Sequence, residues 1–259
     1  MKGVEMKVWQ LSKVTVSENI AGRMLLTNVF FLLCLFVLVA FVQDTKEDFN
    51  RYKLFLDGSF SLIMFFNLFF AMMTSFSLLE SDRINNRITV LISTYMNRDQ
   101  YVFGKFLGGF LSSLINLLII STLVSITSLI VFDTHPTYIF YNHFVSVLEL
   151  MMFVGLVLFC SLAFSKFMGV MSFLFIFTLG HFTYYIKYYT EVVGTGYPEL
   201  IKNLYLLLPN FEYFGIKNHL IAGKLIPPTY FVSLLLFSLA WTTLFVVISQ
   251  VIFSKKSFQ

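Results

Sequence analysis

Phe106-Leu-Gly-Gly-Phe-Leu-Ser-Ser-Leu-Ile-Asn-Leu-Leu-Ile-Ile-Ser-Thr-Leu-Val-Ser-Ile-Thr-Ser-Leu-Ile-Val-Phe132 carries no charge anywhere along its length. A helix needs about 20 predominantly apolar residues to cross the hydrocarbon layer of a bilayer, so this stretch alone is long enough to span. Five more runs accompany it: Met24 to Val42, Phe60 to Leu79, Phe144 to Phe164, Phe167 to Ile186 and Thr229 to Phe253. None alternates in polarity as a barrel strand does, and lipid offers no partner to an unpaired backbone group. The expected fold class is all-α, a polytopic membrane protein with transmembrane helices at 24–42, 60–79, 106–132, 144–164, 167–186 and 229–253.

Composition agrees with this. Of the 259 residues 58% are hydrophobic and 12% charged, too little polar surface to coat a water-soluble globule. Cys34 and Cys160 both fall inside apolar runs, where a thiol packs as a small polarisable group, so neither a disulfide nor a metal site is implied. No short leader with a small-residue cleavage site precedes Met24, and the first run is expected to stay as a span. A net charge of +4 is ordinary where loops carry Lys and Arg, and it does not call for nucleic acid.

The basic residues set an orientation. Lys2, Lys7, Lys13, Arg23, Arg83, Arg87, Arg98, Lys105, Lys166, Lys255 and Lys256 fall on one side of six alternating spans. The other side holds fewer, and in its first loop they are offset by Asp44, Glu47, Asp48 and Asp57. The positive-inside bias then expects both termini to be cytoplasmic. Residues 1–23 mix Glu5, Lys7, Lys13 and Glu18 with Trp9, Leu11, Val16 and Ile20, which suits a helix lying at the membrane interface. Residues 188–228 are expected outside the membrane as short re-entrant or interfacial helices. Their apolar stretches are broken by Pro198, Pro209, Pro227 and Pro228 and are too short to cross.

Residues 80–105 join the second and third spans and form the most polar stretch of the chain, yet Ile88, Val90, Leu91 and Ile92 thread it. An amphipathic helix offered to a soluble partner has that composition, and so does a helix resting on the inner leaflet. The order of motifs here resembles the permease subunits of ABC transporters of the ABC-2 type. An acidic end to the second span is followed by Arg-Ile-Thr-Val-Leu-Ile-Ser at 87–93, then Asn97-Arg98, then Gly104-Lys105. Thr94-Tyr95-Met96-Asn97-Arg98 stands where that family has a Pro-Val-Ser-Arg turn. Leu208-Pro209-Asn210-Phe211-Glu212-Tyr213-Phe214 and the closing Phe253-Ser-Lys-Lys-Ser-Phe258 are similar to the family's outer segment and C-terminus.

The resemblance implies a single permease domain over 1–259 in the cytoplasmic (inner) membrane, paired as a homodimer or with a paralogous permease. Two copies of an ABC ATPase subunit would dock on the segment between spans two and three and would hold the ATP and Mg, with export the expected direction. It places ATPase coupling at Glu80, Asp82, Arg83, Arg87, Ile88, Thr89, Leu91, Asn97, Arg98 and Lys105. An extracytoplasmic gate falls at Pro209, Asn210, Phe211 and Phe214, where an accessory protein is a further possible partner beside membrane lipids. The chain itself has no phosphate loop, since Gly104-Lys105 and Gly223-Lys224 are followed by Phe106 and Leu225 rather than Ser or Thr. It is not expected to be an enzyme and needs no cofactor of its own.

Four polar residues inside the spans are candidates for function or for interhelical bonding. Glu149 and His181 fall at similar depth on adjacent antiparallel spans, which suggests that they pair. Asn67 and Asn116 suit hydrogen bonds between helices. Rival readings are a stand-alone secondary transporter, a membrane-embedded enzyme, or a membrane scaffold that recruits extracytoplasmic proteins. The first would show charge near the midplane of broken spans, and the second a cluster of His, Asp or Glu.

Overall fold

A computed structural model describes residues 2–45, 48–84, 86–134, 137–183, 208–221 and 226–256. Among these every regular element is helical, as unbroken apolar runs require. The chain begins with α1 (Lys2–Asn19), a π-helical turn (Ile20–Met24) and α2 (Leu25–Gln43). There follow α3 (Asp48–Ile84), α4 (Arg87–Thr94), α5 (Arg98–Phe132), α6 (Thr137–Ala163) and α7 (Lys166–His181). A 3-10 turn (Phe211–Phe214), α8 (Lys217–Ile221) and α9 (Pro228–Lys255) complete it.

Among the described residues five helices are long and apolar enough to cross a membrane: Gly22–Gln43, Arg51–Asp82, Arg98–Phe132, Ile139–Ala163 and Pro228–Lys255. They correspond to five of the expected runs, and the chain is a helical membrane protein. The remaining run, 167–186, is met by α7, whose 16 residues measure about 24 Å at 1.5 Å per residue. That is short of a full crossing. Residues 184–207 and 222–225, which include much of the expected outer segment, lie outside the described residues.

Helices outrun the apolar runs at several ends. α3 begins at Asp48, well before Phe60, and α5 begins at Arg98, before Phe106. Hydropathy marks the depth of lipid, whereas backbone hydrogen bonding carries a helix on into water. Asn97 caps the start of α5: the Gln100 side chain accepts from the Asn97 backbone N–H at 3.1 Å, the reciprocal arm of a capping box. α9 opens on Pro228 at its first position, where a missing N–H costs nothing.

The spans alternate in direction. One end of the bundle gathers α1, α4, the turn between α6 and α7, and the close of α9: Lys166 pairs with Glu80, and Lys256 donates to the Leu162 carbonyl. The opposite end gathers the loop after α2, the start of α3, the close of α5, and the 208–221 segment: Phe55 and Phe132 stand 4.7 Å apart there. α6 is the central helix, with Leu150, Met152, Val154, Leu156 and Cys160 all essentially inaccessible, and α3, α5, α7 and α9 pack around it. α2 lies at the periphery. It buries the stripe Thr27, Phe31, Leu35 and Val42 and leaves Phe30 62% and Phe36 73% exposed, an outer face that only lipid or another apolar surface would solvate.

α1 does not stand apart from the bundle. It runs parallel to the first half of α5, with Ser12 donating to the Gly104 carbonyl at 3.1 Å and the Asn19 amide donating to Ser112 at 2.9 Å. The approach is close because Gly104 and Gly108 face it. A Cβ on Gly108 would lie 2.5 Å from the Thr15 Cβ.

Candidate functional site

Two regions hold the residues that the sequence singled out, one at each end of the bundle. At the end bearing α1, the connector helix α4 is entered through Asn86 in the left-handed region (φ 53°), a conformation that Asn tolerates. α4 turns Ile88 into the bundle, where it is 2% exposed, and packs Leu91 and Ile92 partly against the same core. Thr89 and Val90 point outward, Val90 at 62% exposure. The aliphatic residues that suggested a docking anchor are thus largely spent on holding α4 in place. The outward surface is a single valine among small polar side chains.

Polar contacts tie the connector to three helices. Arg87 meets Glu18 of α1 at 2.7 Å, and the Tyr95 hydroxyl bonds Gln10. Lys7 donates to the Tyr95 carbonyl and sits 5.0 Å over its ring. Arg98 donates to the carbonyls of Phe253 (3.4 Å), Ser254 and Lys256 (3.0 Å) at the close of α9, satisfying groups that a helix end leaves open. In the same region Glu80, half-buried, pairs with Lys166, and Asn97 caps α5. Asp82 and Lys105 do not face outward: they pair with each other at 2.7 Å, each side chain 4% exposed. The side chain of Arg83 lies outside the described residues.

At the opposite end, a cavity of about 290 Å³ is lined by residues of α3, α6, α7 and the 208–221 segment, Glu149, His181, Phe211, Glu212 and Lys217 among them. The predicted Glu149–His181 bond is not made. His181 Nδ1 instead donates to the Phe177 carbonyl at 3.1 Å, and its ring stacks on Phe211 at 5.5 Å. Equal depth brought the two residues to one cavity, but the aromatic stack fixed the imidazole elsewhere. Glu149 is 8% exposed and has no hydrogen-bond partner among the described residues.

The predicted gate residues close this end. Asn210 Oδ1 accepts from the Glu212 N–H at 3.0 Å and caps the 3-10 turn. Phe211, 1% exposed, inserts between Phe153 (5.1 Å) and Phe177 (5.4 Å), while Phe214 packs on Phe237. Pro209 enters through its carbonyl oxygen, which lies against Gly180 so closely that no Cβ fits there. Lys217 anchors the segment to α3 by bonds to Asp57 (2.9 Å) and Ser61 (3.2 Å).

Asn116 Oδ1 accepts from Asn28 at 3.2 Å, an interhelical bond between α2 and α5 as expected. Asn67 is 4% exposed, and its Oδ1 has no partner among the described residues. Glu212 was not singled out from the sequence. The signal was present, since it is the only carboxylate after Glu199. Among the described residues no three His, Cys, Asp or Glu side chains converge as metal ligands would. No family model matches the chain, and no curated protein matches it.

Proposed function

We propose that this chain is the transmembrane permease subunit of an ATP-driven transporter of the ABC-2 type, working as an exporter in the cytoplasmic membrane with both termini inside. In this reading it forms a homodimer, or pairs with a paralogous permease, and receives two ATPase subunits that hold ATP and Mg at the α4 end. The motif order from Glu80 to Lys105 supports the reading, together with the resemblance of residues 208–214 and 253–258 to that family. The basic residues at the α4 end support the orientation.

The observation that carries the proposal is the build of the connector. α4 is short, buries Ile88 where it packs on α3 and α5, and is bonded at its two ends to α1 through Glu18, Lys7 and Gln10. A partner pressing on Val90 would therefore bear on α1, α3 and α5 together rather than bend a loop. Force enters at one end, and the segment at Pro209 to Phe214 closes the other. A bistable bundle of this kind needs no catalytic group of its own.

The test is to purify the tagged chain from its native membrane and assay ATP hydrolysis in the eluate. The expected result is a co-purifying ATPase whose retention is lost in Val90→Asp, while the monodispersity of the variant is unchanged. A wild-type eluate without hydrolysis, or a Val90→Asp eluate that retains it in full, overturns the proposal.

A further inference from the structure

The cavity beneath the Pro209–Phe214 segment has an unusual electrostatic composition for its depth. Glu149, 92% buried by its 8% exposure, projects into it from the central helix without a hydrogen-bond partner among the described residues. Glu212 lies exposed at its mouth and acts electrostatically on Glu149. The cation nearest to hand, Lys217, is already held by Asp57 and Ser61, and His181 spends its Nδ1 proton on the Phe177 carbonyl. A buried carboxylate normally finds a counter-charge or a set of donors, and among the described residues Glu149 has neither.

The lining carboxylates favour a cation, and the other walls say of what kind. A bare metal ion would ask for converging ligands, and among the described residues none converge. The volume of about 290 Å³ is far larger than one ion and close to the small end of ligand pockets. Its remaining walls include Phe60, Phe211 and Phe214 beside Ser61, Asn142 and Ser146, an apolar and weakly polar lining that an alkylated cation can fill. Carboxylate below and beside, with aromatic rings around, is the environment that suits an alkylated ammonium group. An anion would meet two carboxylates and, among the described residues lining the cavity, no free base.

We propose that this cavity binds a small organic cation bearing an ammonium group, with Glu149 and Glu212 as its counter-charges and Phe60, Phe211 and Phe214 as its walls. The proposal rests on the exporter reading only in making that cation the cargo, taken up or released at the end of the bundle opposite the connector. Binding itself needs no ATPase.

The experiment is isothermal titration of the purified full-length chain in lipid nanodiscs, without an ATPase, against choline, tetramethylammonium and the neutral choline isostere 3,3-dimethyl-1-butanol. Choline and tetramethylammonium are expected to bind, and the neutral alcohol about tenfold more weakly or not at all. Glu149→Gln and Glu212→Gln are each expected to weaken choline by about tenfold. Glu212 is exposed, so its variant tests the site even if Glu149→Gln does not fold. No heat with either cation, equal affinity for the neutral alcohol, or unchanged choline affinity in Glu212→Gln overturns the proposal. Choline binding without a co-purifying ATPase would remove the exporter reading and leave this one standing. A co-purifying ATPase without cation binding would do the reverse.

Discussion

Asp82, near the close of α3, and Lys105, early in α5, are joined by a 2.7 Å ion pair with each side chain 4% exposed. The Tyr101 hydroxyl donates to the same carboxylate at 2.6 Å, and its ring stacks on Phe253 of α9 at 5.2 Å. Three spans therefore meet at one charged group just inside the connector, and it locks the frame against which α4 is held.

Breaking that pair from one side strands a buried charge. Lys105→Met alone is expected to destabilise the protein by about 3–5 kcal/mol. The double variant Asp82→Leu/Lys105→Met should cost markedly less than either single change. Thermal unfolding in detergent, compared across the four proteins of the cycle, is the measurement.

Arg98 closes the last turn of α9 from outside it. In Arg98→Gln the carbonyls of Phe253, Ser254 and Lys256 lose their charged donor, at a cost of about 1 kcal/mol. Amide hydrogen exchange should rise in residues 252–256 and stay unchanged at the start of the same helix.

The two glycines under α1 should differ in their tolerance. A Cβ on Gly104 would meet the end of the Leu11 side chain at 2.8 Å, and a leucine tip can swing aside. On Gly108 it would meet the Thr15 Cβ at 2.5 Å and the Ser12 carbonyl oxygen at 3.1 Å, neither of which has a soft escape. Gly108→Ala is expected to cost about 1–3 kcal/mol and Gly104→Ala less. Faster tryptic cleavage at Lys13 in the Gly108 variant would register the loosened α1.

Gly180 holds the door of the cavity. Its replacement by Ala forces Pro209 and Phe211 away from α7, because a Cβ would run into both. With Cys34 and Cys160 replaced by Ala, a cysteine at Asn142, which lines the cavity, should react with a water-soluble maleimide several-fold faster in the Gly180→Ala background. An equal rate would show that the segment does not seal this end.

Five crossings were legible because each apolar run is longer than any soluble core helix needs. Those runs could not give the true helix ends, since Asp48 to Ser59 and Arg98 to Lys105 are polar enough for water and still helical. The capping pair Asn97 and Gln100 was readable for α5. Depth along a helix placed Glu149 and His181 at one level, but rotation about each axis, set by Phe177 and Phe211 packing on the imidazole, decided that they do not bond. The sequence likewise marked the apolar residues of α4 without showing which way they turn. Ile88 and Leu91 look like an offered anchor in a linear reading, and only the position of the neighbouring α3 and α5 shows that the bundle takes them first.

The π-helical turn at Ile20–Met24 has a consequence for how the molecule meets its surroundings. It winds α1 into α2 with helical backbone throughout, leaving no loop between Glu18 and the exposed face of α2. A tilt imposed on Glu18 by Arg87 is therefore delivered, as by a stiff oar, to the outer blades Phe30, Phe36 and Phe41 that row against acyl chains. Bilayer thickness is then expected to load the connector, with lipid chain length shifting its resting angle.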